Sequence, residues 1–150
     1  MNNEANNLTE NEMMTLDHTR LDQIEPTLKK SRVYEEWIDD LSCDVQVKNI
    51  LKGLLDITCK VGNKLYQIGK AVLEFFLKYL GELKEKYPYT CDLAVIGCLA
   101  SILFWNIPFI GPFVGPLLSA LMTAAGAIVG LALDLNDKFE MIRKAKEYFC

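Results

Sequence analysis

The residues able to do chemistry are few, and their spacing assembles no familiar reaction centre. The single histidine, His18, lies in a polar N-terminal region, so no hydrolytic triad can be built around it. The five cysteines (Cys43, Cys59, Cys91, Cys98, Cys150) are odd in number, widely spaced and without a CxxC pair. With one histidine they complete no zinc site, and they read as reduced thiols. Cys150 lacks the three following residues of a prenylation box. Glu35, Glu36, Asp39 and Asp40 fit a solvated face better than a catalytic carboxylate pair. There is no phosphate-binding GxxxxGKS/T, no GxGxxG and no HExxH, and Gly53, Gly62, Gly69 and Gly81 are scattered through amphipathic sequence. Neither an enzyme nor a cofactor is expected, and metal ligands are absent from the pattern.

What stands out instead is Leu93 to Leu133, about forty residues with no Asp, Glu, Lys, Arg or His. Pro108, Gly111, Pro112, Gly115 and Pro116 divide it, which predicts a hairpin turn between two apolar helices. Each arm is about 15 to 17 residues, a little short of the roughly 20 needed to cross a bilayer. The residues expected to enter lipid are Leu93, Ile96, Leu99, Leu103, Phe104, Trp105 and Phe109 in the first arm and turn. Phe113, Leu117, Leu121, Ile128 and Leu131 are their counterparts in the second. Each central Leu, Ile, Phe or Val favours insertion by about 0.3 to 0.6 kcal/mol, so an arm gains only about 2 to 5 kcal/mol. Asn106, Ser101, Ser119 and Thr123 offset part of that gain. Such marginal arms permit a hairpin that is buried in water and inserts conditionally. Ala120, Ala124, Gly126, Ala127 and Gly130 form a small-residue face for close helix packing, across the hairpin or between copies.

The charges are laid out in blocks. Residues 1–44 carry eleven acids against four bases, residues 45–86 eight lysines against four acids, and the remainder five acids against four bases. An acidic head, a basic middle and a neutral hairpin suit a membrane surface, preferably anionic, better than nucleic acid, because the lysines lie beside apolar rows and Arg is scarce. Lys84 and Lys86 flank the hairpin on one side, and Lys138, Arg143 and Lys144 on the other, which places both ends on the same side of a membrane.

The elements that must position this hairpin are helical throughout, giving an all-α bundle of about five to seven helices in one domain. Residues 1–44 form an acidic N-terminal segment, disordered to about Leu8 and then helical, with Thr9 and Glu12 at capping-box spacing. After Pro26 a helix to about Leu41 puts Tyr34, Trp37, Ile38 and Leu41 on one face. It is either a surface helix packed on the bundle or an acidic cover over the basic middle, released on activation or at low pH. Residues 45–150 form the membrane-active domain. From Asp44, an N-cap, apolar residues from Val47 to Leu83 recur at steps of three and four, predicting helices over 44–61 and 64–86 with a break at Gly62-Asn63. Lys48 with Lys52, and Lys60 with Lys64, are four apart and so are expected to share helix faces at the membrane surface. A last amphipathic helix spans 135–149. The polar, acidic start carries no cleavable signal peptide.

The run Gly115-Pro116-Leu117-Leu118 through Gly126-Ala127-Ile128-Val129-Gly130, closing in Asp134 and Asp137-Lys138-Phe139, resembles the end of pore-forming colicin domains. The resemblance covers about the last fifty-five residues and lies mostly in apolar pattern. It implies a soluble helical bundle that buries its hairpin, then inserts it and depolarises a target membrane. The chain is shorter than those domains and lacks their receptor-binding and translocation regions. The leading expectation is therefore a small membrane-inserting, pore-forming toxin or effector, membrane-associated and soluble before insertion, with self-association or an inhibitor protein as further partners. The alternatives are a constitutive integral membrane protein acting as anchor, scaffold, immunity or defence component, and a soluble helical adaptor whose core is the hairpin.

Overall fold

The computed structural model describes residues 19–61, 63–125 and 135–150, apart from the side chain of Phe109. The expectations for the first eighteen residues, for Gly62, and for Gly126, Ala127, Ile128, Gly130, Leu131 and Asp134 fall outside them. The architecture is an all-α bundle. Helix α1 (19–24) buries Leu21 and Ile24 and runs into a 3-10 turn, Glu25–Thr27, with Pro26 inside it. Helix α2 (Ser31–Asp39) buries Tyr34 and Ile38 while its three acids, and Asp40 at its end, stay in water. Helix α3 (Val45–Leu54) begins where Asp44 Oδ1 accepts a hydrogen bond from the Val47 amide at 2.9 Å. That bond satisfies one of the unpaired amides of the first turn. Asp44→Ala is expected to lower stability by about 1 kcal/mol, read as a shift in a urea unfolding midpoint.

The first departure from the sequence reading comes here. Helix α3 stops at Leu54, and Cys59–Val61 (β1) pairs antiparallel with Lys64–Tyr66 (β2), in the register Cys59↔Tyr66, Lys60↔Leu65, Val61↔Lys64. No helix spans 44–61, so Lys60 and Lys64 do not share a helix face. The burial is that of a short hairpin with one covered pair, Cys59 and Tyr66 buried and Lys60, Lys64 and Leu65 exposed.

Helix α4 (Ile68–Lys86) is the bundle's long strut, with ten buried side chains or glycines along its 19 residues. Phe75 packs against Tyr79, Tyr148 and Phe149, with ring centroids 4.7, 5.9 and 5.7 Å away. Helix α5 (Asp92–Asn106) is apolar around most of its circumference, as befits a helix packed against α4, α6 and α7, and its described surface opens fully to water only at Trp105. A 3-10 turn, Pro108–Ile110, leads into α6 (Gly111–Ala125), which lies on α5 and also meets α3 and α4. Helix α7 (Leu135–Phe149) closes the bundle with Met141, Ala145 and Phe149 buried. The hairpin turn is thus shorter than its prolines and glycines suggest. Pro108 lies in it and Gly111 opens α6, but Pro112, Gly115 and Pro116 are helical residues. Proline is tolerated in a first helical turn, where its missing N–H has no partner to lose. Pro116 lies deeper, so the Pro112 carbonyl gives up its helical donor, on a side of α6 where both prolines face water.

Candidate functional site

The hairpin formed by α5 and α6 is closed against protein. Of the residues expected to enter lipid, Ile96, Leu99, Leu103 and Leu121 are fully buried, and Leu93, Phe104, Phe113 and Leu117 are half-buried. Trp105 is the exception, with 73% of its surface in water beside the exposed Pro108. Along α6 the exposed residues are Pro112, Pro116, Ser119, Thr123 and Ala124, without a charge among them. The small-residue face divides: Ala120 is half-buried and Ala124 points to solvent. Gly115 faces the Phe104 ring, which a Cβ would meet at 3.9 Å, so the two arms pack closely here. Among the described residues no helix is long and apolar enough to cross a membrane. None holds a group of His, Cys, Asp and Glu suited to a metal.

Two lysines of the last turn of α4 hold the base of the hairpin. Lys84 Nζ donates to the Thr90 carbonyl at 2.6 Å and pairs with Asp92 at 3.2 Å, at the start of α5. The other Asp92 carboxylate oxygen accepts from the Ser42 amide at 3.1 Å, which ties the end of the acidic segment to the same point. Lys86 and the Tyr87 hydroxyl both donate to Asp137, a buried carboxylate in the first turn of α7. Lysines suit this place, because the C-terminal end of a helix carries unpaired carbonyls and partial negative charge. One short stretch, Lys84 to Tyr87, therefore grips the chain on both flanks of the apolar hairpin. Farther along, Lys144 pairs with Glu82 and with Glu140, the latter at 3.4 Å.

The hydrogen bond from Lys86, then that from Tyr87, holds the Asp137 carboxyl below its ordinary value of 3.8. A carboxylate with a depressed pKa stabilises the fold above its unfolded value, and that contribution disappears as pH falls through the lower, folded value. The clamp therefore outlasts an ordinary carboxylate contact on acidification and opens as pH falls through the lowered value. Asp137→Asn is expected to lower the melting temperature at neutral pH and to flatten its decline as pH falls below the ordinary carboxyl value of 3.8. An unchanged slope in pH-dependent thermal melts would dismiss the clamp.

The four lysines expected at a membrane surface are mostly engaged by the acidic segment. Lys52 pairs with Asp39 at 2.7 Å, and Lys48 donates to the Asp39 carbonyl at 2.8 Å. Lys64 pairs with Asp22 at 2.9 Å, while Lys60 is exposed on β1. Asp22 also accepts from the Tyr66 hydroxyl at 2.6 Å, and burial, then this carboxylate, pushes the Tyr66 phenol up to about 12. Tyr34 of α2 donates to Glu74 of α4 at 2.7 Å and accepts from the Lys29 amide at 3.1 Å. Its phenol is likewise pushed up to about 12, chiefly by burial. Residues 19–44 are thus fastened to the strand pair, α3, α4 and the start of α5. The sequence announces the acidic and basic blocks but not these partners, because Asp22 and Lys64, or Lys86 and Asp137, are far apart along the chain. Lys84, Asp92, Lys86, Tyr87 and Asp137 were missed as a unit for that reason.

Set against known proteins, the chain matches no protein family, no curated sequence and no solved structure.

Proposed function

We propose that this chain is a colicin-like membrane-inserting protein that keeps its hairpin buried in a helical bundle and transfers it to an anionic bilayer. The observation that carries the reading is an uncharged outer face on α6, with Trp105 exposed at the turn, over a hairpin whose ionic contacts among the described residues lie at its base. Trp prefers the membrane–water interface, and an uncharged face reaches lipid without desolvating an ion. Fifteen residues of helix reach about 22 Å, less than the roughly 30 Å hydrocarbon core. The hairpin would therefore enter with local thinning of the bilayer rather than span it comfortably. Docking of the lysines to anionic headgroups competes with Asp22 and Asp39 for the same charges, which makes the acidic segment a cover.

Burial of Ile96, Leu99, Leu103 and Leu121 equally suits a soluble helical adaptor with the hairpin as its core. One experiment separates the two. Detergent-free protein is added to dye-loaded vesicles of phosphatidylglycerol and phosphatidylcholine at neutral and acidic pH. Leakage that grows with the anionic fraction supports insertion. Monodisperse protein that neither floats with the vesicles nor releases dye at either pH selects the adaptor.

A further inference from the structure

A cavity of about 410 Å³ opens between the N-terminal segment, α4 and the last turn of α7, lined by Arg20, Gln23, Ile24, Thr27, Glu74, Lys78 and Tyr148. It shares no residue with the hairpin, and its volume lies in the range of small-molecule sites. Arg20 is held in place: Nε donates to the Tyr148 carbonyl at 2.9 Å and Nη1 to Gln23 Oε1 at 2.6 Å. Its remaining N–H groups are left to turn toward a ligand. Lys78, exposed, brings a second positive charge, with Nζ 5.6 Å from the centroid of the Tyr79 ring. Thr27 spends its hydroxyl hydrogen on the Ile24 carbonyl at 2.6 Å. The Tyr148 hydroxyl is buried with no hydrogen-bond partner. A buried donor left unpaired costs stability, and an acceptor entering the cavity would satisfy it.

The lining is therefore rich in donors, and its charges are two cations against the one carboxylate of Glu74, which already accepts from Tyr34. A single negative charge balances them, and Ile24 offers an apolar contact. We propose that this cavity binds a small organic monocarboxylate, its oxygens meeting Arg20 and Lys78 and accepting the orphaned Tyr148 hydroxyl. Neither the membrane reading nor its failure bears on this site. Occupation would join α1, α4 and α7 and so raise the melting temperature.

Calorimetric titration of the whole chain with acetate, butyrate and benzoate tests it, with inorganic phosphate and uncharged benzamide as comparisons. At least one of the three carboxylates should bind and benzamide should not. Lys78→Gln, at an exposed position that leaves the fold intact, should weaken binding about tenfold. Tyr148→Phe should weaken it about fivefold. The proposal is overturned if no carboxylate binds, if Lys78→Gln binds as tightly as the parent, or if phosphate alone binds. A Tyr148→Phe variant that melts higher and binds as before would mark the hydroxyl as a mere unsatisfied group, and would overturn its assigned role.

Discussion

Gly69→Ala should prevent the chain from holding its native bundle. Gly69 is the second residue of α4 and lies under the end of α3. A Cβ built there would stand 1.5 Å from the Leu54 carbonyl oxygen, 2.6 Å from its carbon and 3.2 Å from the Ile57 side chain. The Leu54 carbonyl is itself fixed by the Ile57 amide at 3.1 Å, and the Gly69 amide donates to the Ile57 carbonyl at 3.0 Å. Backbone on both sides leaves no flexible side chain to give way. Ordinary overpacking costs about 1–3 kcal/mol, and this collision requires the α3–α4 crossing to open. The cost should therefore exceed the roughly 3 kcal/mol of ordinary overpacking by enough to remove most of a typical total of about 5–15 kcal/mol, because backbone rather than a side chain must move. Far-UV circular dichroism and limited proteolysis should show it. Gly81→Ala in the same helix is the matched comparison, since nothing lies within 4 Å of its added Cβ. That change should stabilise the protein by about 0.5–1 kcal/mol through helix propensity. A Gly69→Ala protein that melts near the parent would show that α3 and α4 do not cross this closely.

The contrast between those glycines shows what sequence could and could not convey. Both lie in one apolar-periodic stretch and look alike in sequence; only the arrival of Leu54 over Gly69 separates them. Local signals carried well. Asp44 caps α3, the face of Tyr34 and Ile38 is buried, and the uncharged stretch as far as Ala125 folds as two helices packed on each other. The strand pair is hidden because Val61 and Leu65, four apart, continue the helical stripe of the neighbouring apolar residues. The pairing separates them instead, with Val61 opposite Lys64 and Leu65 opposite Lys60 on the other face. The two-residue link Gly62-Asn63 between short alternating runs was the available hairpin signal. Pro112 and Pro116 misled in the opposite direction, since proline reads as a break wherever the helix cannot be seen to continue past it. The contacts that keep the site closed, Asp22 with Lys64 and Asp137 with Lys86 and Tyr87, are invisible locally because each joins separate elements.

The burial of the hairpin and its freedom from charge pull the functional reading in different directions. A buried apolar pair is ordinary core, whereas an outer face of α6 without charge is unneeded for core packing. A substitution confined to that outer face therefore separates membrane entry from folding. Ser119 is exposed near the middle of α6, and Lys there would sit in water in the closed bundle. Its effect on folded stability should stay within about 0.5 kcal/mol. In a bilayer the same lysine, near the centre of an inserted helix, costs about 2.5–3.5 kcal/mol. That cancels most or all of the roughly 2–5 kcal/mol an arm gains on entry. Ser119→Lys should therefore melt like the parent while releasing vesicle dye about a hundredfold less well. Ser119→Gln, similar in bulk and uncharged, should retain most of the leakage. Equal loss in both variants would trace the effect to shape rather than charge. Undiminished leakage by Ser119→Lys would mean that α6 stays outside the hydrocarbon, and with it the case for hairpin insertion would fall.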